Sequence, residues 1–140
     1  MLSLMKLDSF IGTAPNTLLE TLDINVTEAT PERVVATMPV GPKVHQPFGI
    51  LHGGASVVLA ETVASIGASV NIDLSKQNAV GLEINANHIR GVRSGLITGV
   101  ATPIHKGRST HVWQVEIRNE EGKLVCTSRC TLAIIDARNG

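Results

Sequence analysis

Glu61 is the one charged side chain in a stretch, residues 55–70, that is otherwise small or apolar on nearly every side. That pattern predicts a helix enclosed by protein, and an ionised carboxylate on such a helix is costly unless it has partners or a task. Gly53 and Gly54 stand where the helix should begin. Backbone N–H groups at a helix start have no intrahelical acceptor, and glycine lets another molecule come close, so this turn can hold a developing oxyanion. An oxyanion donor and a carboxylate together are the minimum equipment for acyl transfer to water. Plainer roles stay open: Glu61 could be ion-paired at a subunit contact, and the glycine pair could be a simple turn.

Spacing limits how the two groups can cooperate. From Gly53 to Glu61 is eight residues, about 12 Å of helical rise, of which a glutamate leaning toward the N-terminus recovers only part. One helix therefore does not readily present both groups to one carbonyl carbon. Two antiparallel copies related by a two-fold axis can, with Gly53 of one chain facing Glu61 of the other.

The elements that must position these groups follow from periodicity and turn residues. Leu2, Met5 and Phe10, then residues 15–22, suggest short helical pieces within an N-terminal segment, 1–20, with Asn16 and Thr17 offering capping oxygens. Leu22, Ile24 and Val26 alternate with more polar neighbours, as do Val34, Ala36, Met38 and Val40, on either side of the turn-like Thr30-Pro31-Glu32, which predicts a hairpin. After the central helix, strand-like runs cover 79–90, 96–104, 110–118 and 124–135, separated by turn signals at 91–95, 106–108 and 119–122. The run 110–118 places His111, Trp113, Val115 and Ile117 on one face and Val112, Gln114, Glu116 and Arg118 on the other. The implied architecture is α+β: about six antiparallel strands curving around one long helix, in a single domain spanning 1–140. Part of the helix, including Glu61 and Ser65 one turn on, should stay uncovered and is a natural place for a second subunit.

Composition narrows the class. The 140 residues carry 12 Lys plus Arg and 12 Asp plus Glu, for no net charge, which argues against a general nucleic-acid or membrane-surface binder. The N-terminus is not a convincing signal peptide, because Asp8 interrupts it. Residues 55–70 are too short for a typical membrane span and contain Glu61. Cys126 and Cys130 lie on one predicted strand, roughly 13 Å apart, too far to pair with each other. Reduced thiols in a cytoplasmic protein are the expectation. His45, His52, His88, His105 and His111 are scattered without ligand spacing, so no metal is expected.

The segments HQPFGILHGGASVVLAE, VGLEINANHIR and HKGRSTHVWQVEI resemble those of hotdog-fold acyl-CoA thioesterases of the phenylacetate-degradation and 4-hydroxybenzoyl-CoA thioesterase type. Within that group the likeness is greatest to the bacterial 1,4-dihydroxy-2-naphthoyl-CoA hydrolases of menaquinone or phylloquinone synthesis, and it covers residues 22–135. The resemblance implies a hotdog sheet wrapped around the helix, a homodimer as catalytic unit and commonly a homotetramer. It implies hydrolysis of an aromatic or bicyclic acyl-CoA, with no cofactor beyond the coenzyme A of the substrate. It assigns Glu61 as nucleophile or general base and the Gly53 N–H as oxyanion donor. Gln46 would orient or polarise the thioester or the attacking water, His52 matches the histidine before the glycine pair, and Ser65 would hold water or substrate. Gln46 could equally be a loop amide, His52 a turn brace and Ser65 a packing hydroxyl.

Between Glu83 and Glu116 no acidic residue occurs, while Arg90, Arg93, Lys106 and Arg108 fall there with His88 and His105. This reads as a local positive patch suited to the phosphates of coenzyme A, with N–H groups around Gly107 and the Ser109 hydroxyl as further donors. The resemblance implies CoA contacts at Val80 and Gly81, at Asn87, His88, Ile89 and Arg90, and at His105, Lys106, Gly107, Arg108 and Ser109. A solvated pair of loops is the alternative. Two other functions use the same fold: proofreading hydrolysis of aryl groups on a carrier protein, and a non-catalytic acyl-CoA-binding module. Glu61 beside the glycine pair weighs against the last, since binding alone needs no carboxylate at the thioester.

Overall fold

Along the second strand, Val34, Ala36, Met38 and Val40 are buried while their neighbours are not, and the same alternation buries His111, Trp113, Val115 and Ile117. Such period-two patterns are what a sheet with one covered face requires. The computed structural model describes residues 9–137. In chain order the elements are α1 (Leu18–Thr21), β1 (Asn25–Thr30), β2 (Arg33–Val40), a 3-10 turn (Pro42–Val44), α2 (Gly53–Ser69), β3 (Gln77–His88), β4 (Gly95–Lys106), β5 (Thr110–Arg118) and β6 (Leu124–Asp136). All neighbouring strands are antiparallel, in the order β1-β2-β4-β5-β6-β3. Irregular registers at Val26/Glu28, Gly81/Glu83, Pro103/His105 and Ile117/Arg118 add local twist and help the sheet curl. Helix α2 lies in that curl and touches all six strands, which is the hotdog arrangement the resemblance implied.

The seat of the helix depends on one large residue and one small one. The Trp113 ring is fully buried, and a Cβ on Gly67 would come within 2.7 Å of it, so only glycine lets helix and sheet meet at this distance. Leu59, Val63, Met38, Ile97 and Ile117 are fully buried in the same core cluster. The helix's far end is tied down by the Asn71 side-chain amide, which donates to the Gly67 carbonyl (2.7 Å) and to the Pro31 carbonyl at the β1–β2 turn (3.0 Å).

Several boundaries differ from expectation for local reasons. Helix α2 begins at Gly53 rather than Ala55, because the glycines form its first turn under the His52 cap. The strand expected from Leu22 starts at Asn25: Leu22 caps α1, Asp23 takes a left-handed φ of 55°, and the Ile24 N–H turns back to the Leu19 carbonyl (2.8 Å). At the end of β3, both the Ile89 and Arg90 N–H groups donate to the Val125 carbonyl (2.8 and 3.3 Å), so the regular ladder stops at His88. Within the N-terminal segment, only Leu18–Thr21 is helical among the described residues, with Thr17 as its cap. Residues 9–17 instead form a strap, because Gly12, at φ 92°, exchanges two 2.8 Å hydrogen bonds with Val26 of β1. Leu2, Met5 and Asp8 lie outside the described residues. No helix among the described residues is long and apolar enough to cross a membrane.

Cys126 and Cys130 are both free and buried, facing the helix side of β6. On β5, His111 is 3% exposed, and its Nδ1 accepts the Trp113 Nε1–H at 3.2 Å. Accepting requires an unprotonated Nδ1. Burial, then the nearby positive Lys106 and His105, accordingly hold the His111 pKa below its ordinary 6.5. The native state thus binds fewer protons here than the unfolded chain, so this contribution to stability is whole above the unfolded pKa and is lost as pH falls below it. We expect the urea midpoint, followed by the fluorescence of the single tryptophan, to fall between about pH 7 and about pH 5.5. In His111→Asn, which keeps an acceptor but cannot titrate, the fall should be shallower, and equal slopes would contradict the assignment.

Candidate active site

The loop before α2 is built to present one backbone donor. Gln46 and Ile50 close it (Gln46 N–H to Ile50 carbonyl, 2.8 Å), Gly49 turns it at φ 79°, and His52 and Leu51 pin its end to Val44 and Val92. The Phe48 N–H donates to Gln46 Oε1. Since an N–H needs an acceptor, the amide oxygen is held inward and its NH₂ is left as a donor. At the helix start, His52 Nδ1 accepts the Gly54 N–H at 2.8 Å, and the His52 carbonyl accepts those of Ala55 (3.0 Å) and Ser56 (3.3 Å). Of the first-turn donors, this leaves the Gly53 N–H without an acceptor among the described residues. The His88 imidazole lies over Gly53, where a Cβ would come within 2.7 Å of Nε2. Gln46, Gly53, Ser56, His88 and Arg90 share a cavity of about 330 Å³.

Glu61 belongs to a different concavity. It lines a cavity of about 420 Å³ walled by Phe10, Leu18 and Leu19 of the strap and α1 and by Val58, Ser65 and Ile66 of α2. The two cavities have no lining residue in common. Glu61 is half-buried, and the ion-paired role finds no partner for it among the described residues. The Thr62 hydroxyl is tied to the Val58 carbonyl (2.7 Å), whereas that of Ser65 is tied to no described residue and stays available in the cavity. Burial, together with the nearby charges of Glu61 and Glu83, pushes the Cys130 thiol pKa up to about 12. Burial raises Cys126 as well. Both therefore remain protonated near neutral pH and are not nucleophiles.

The residues expected to bind coenzyme A do not form one patch in the chain. Gly81, Leu132, His111 and Lys106 occupy one row across the sheet, and His88, Cys126, Ile117 and Gly99 another. Along the strands these rows are roughly 20 Å apart. Val80, Gly81 and the 105–109 hairpin thus lie at the Glu61 end, while His88, Ile89 and Arg90 lie at the Gly53 end. Two further details bear on the donors expected there. The Gly107 N–H donates to the Thr110 carbonyl (2.8 Å) to close its hairpin and is not a spare donor, and Lys106 is ion-paired with Glu32. The Asn87 side chain sits with Asn85, Gln114 and Arg129 over the outer face of the sheet, because successive strand residues alternate and His88 takes the inner one. Ser109 accepts the Ile134 N–H through its carbonyl (2.9 Å), and His105 packs over Gly107. Sequence reasoning did not place Phe10 and Leu19 at the site, since a strap folded back onto the helix leaves no periodic signal. Among the described residues no three His, Cys, Asp or Glu side chains converge as metal ligands.

The thioesterase superfamily profile matches residues 48–126. A 1,4-dihydroxy-2-naphthoyl-CoA hydrolase of Listeria monocytogenes is 50% identical over 117 residues, 84% of this chain and 94% of that one. A proofreading thioesterase of Cronobacter turicensis is 43% identical over 131 residues, 94% of this chain and 95% of its own. A Staphylococcus aureus protein solved as a glutamate-to-alanine mutant superposes with a TM-score of 0.85 at 45% identity, covering 86% of this chain and 100% of that one. The same protein, there called a thioesterase, was solved as a glutamine-to-alanine mutant, at TM-score 0.83. Its two mutated positions have the sequence separation of Gln46 and Glu61 here.

The cap at His52 is separable from any chemistry there. His52→Ala should cost about 0.5–2 kcal/mol in urea unfolding, whereas His52→Asn, which keeps a capping acceptor, should lie near the wild type. Indifference to both changes would remove the capping role.

Proposed function

This chain belongs to the thioesterase superfamily and is a thioester hydrolase, and we propose that it cleaves an aromatic or bicyclic acyl-CoA, such as 1,4-dihydroxy-2-naphthoyl-CoA, to the free acid and coenzyme A. One observation carries the proposal: among the described residues, Glu61 is without a hydrogen bond or ion pair in the wall of one apolar cavity, and the Gly53 N–H is without an acceptor in another cavity. Each is half of a hydrolytic site. The 420 Å³ cavity, walled by Phe10, Leu19 and Ile66, suits a flat acyl group of one or two rings.

A second chain completes the site. β3 is an edge strand of 12 residues that pairs only with β6 among the described residues, and Leu82 upon it is 65% exposed. A long free edge of this kind is a template for another strand. Joining two copies antiparallel along β3 lays the His88 end of one beside the Gly81 end of the other. Gly53 lies under His88 and Glu61 beside Gly81, so each half-site meets its complement. The same join brings Arg90 of one chain toward the partner's 105–109 hairpin, reuniting the basic groups around the phosphates of coenzyme A. Phe48, 84% exposed on the oxyanion loop, would be covered. Two such dimers would give the tetramer.

In the reaction, the Gly53 N–H and the helix N-terminus stabilise the charge that develops on the thioester oxygen. The Gln46 NH₂ adds a donor on the same side. Glu61 of the facing chain then attacks the carbonyl carbon to give a mixed anhydride that water hydrolyses, or removes a proton from the attacking water. Either course breaks the C–S bond and releases the thiol. The reading includes a cytoplasmic location, which the two free, buried cysteines support. A carrier-borne aryl thioester is a second reading, favoured by the likeness to a proofreading thioesterase, and it uses the same machinery.

Thiol release from CoA and carrier-protein thioesters, read with a thiol-reactive dye, tests the function directly, and release from none would refute it. Glu61→Gln should lower kcat far more than KM is changed, by at least the roughly 10²–10³ typical of a lost oxyanion donor. A separate experiment tests the sharing. Verified heterodimers of one Glu61→Ala chain and one Gly53→Ala chain contain one intact site of two and should recover about half the wild-type rate; no recovery would rule out the shared arrangement.

A further inference from the structure

Gly81 stands where β3 breaks register. Gly81 pairs with Leu132 and Glu83 with Thr131, so Leu82 is the extra, bulged residue. The Leu132 side chain is buried on the helix side of the sheet, and Gly81 in the same row faces the same way. A Cβ built on Gly81 would fall on Glu61 Oε2 and lie 3.2 Å from Cδ, with no other residue among its nearest neighbours. The space left by the missing side chain is therefore the space the carboxylate occupies. Gly81 is exposed and its φ is not in the left-handed region, so neither burial nor backbone conformation demands glycine there.

We propose that Gly81 is a positioning residue for the Glu61 carboxylate: the bulged strand offers a side-chain-free notch that lets the carboxylate stand against β3 at the height of the thioester. The inference rests on Glu61 being the nucleophile or general base. It differs from a contact between Gly81 and coenzyme A, which would act on substrate binding and not on the carboxylate. With alanine at this position the carboxylate must swing away, and catalytic groups displaced by about 1 Å can lose 10²-fold in rate. The backbone, which accepts alanine without strain, should not notice.

The test is steady-state kinetics with one aromatic CoA thioester on wild type, Gly81→Ala, Glu61→Asp and the double variant. Gly81→Ala should lower kcat by about ten- to a hundredfold, leave KM within about twofold and leave the thermal midpoint unchanged or higher. In the Glu61→Asp background, where the side chain is one methylene shorter and stands back from the notch, adding Gly81→Ala should cost less than about twofold. A rise in KM with kcat preserved would assign Gly81 to coenzyme A contact and overturn the proposal. Equal losses in both backgrounds, or loss of the native fold in both, would also overturn it, since the notch would then not be specific to the Glu61 side chain. Failure of the underlying reading shows differently, as a Glu61→Gln enzyme with kcat close to wild type.

Discussion

The Trp113 ring occupies the place where a side chain of Gly67 would be, and this contact sets both how deep α2 sits in the sheet and which way it is turned. At about 100° per residue, Glu61 lies about 120° around the helix from Gly67. The face that meets tryptophan is therefore closed by the sheet, and the face carrying Val58, Glu61, Thr62 and Ser65 turns toward the N-terminal strap and an open cavity. Burial of the first face supplies the hydrophobic stabilisation, and the rigidity it confers holds the second in place.

From that orientation follows a division of the chemistry between the two ends of α2. The N-terminal end, capped by His52 and covered by His88, keeps a backbone donor unengaged. Two turns along, Glu61 has no ion pair among the described residues, and the nearby Cys130 thiol is held protonated by burial and by that same carboxylate. An unpaired carboxylate contributes little to the stability of a single chain. In the proposed dimer it would form half of a reactive centre, with the other half supplied across the edge of β3.

Much of the scaffold was legible from local pattern. Alternation identified the inner faces of β2 and β5 residue by residue, the glycine pair marked the start of α2 to within its first turn, and the rise per residue already separated Gly53 from Glu61. The strap was not legible as such, because Gly12 and Val26 bind through backbone groups that carry no side-chain signature. The basic residues between Glu83 and Glu116 looked like one patch because they are neighbours in the chain, yet the antiparallel strands carry them to opposite ends of the sheet.

By itself, then, the amino-acid sequence determined what each residue could do and which way it would face, since side-chain chemistry and the period of helix or strand are local properties. Glu61 as a lone carboxylate, Gly53 as a donor and the core faces of the strands all belong to that class. Only the tertiary structure decided which residues meet. Strand order, the bulge at Leu82 and the depth of α2 are set by pairings between distant segments. These place Gly81 against the Glu61 carboxylate, His88 over Gly53 and Lys106 beside Glu32. No periodicity records such meetings, because they arise from the packing of one element on another.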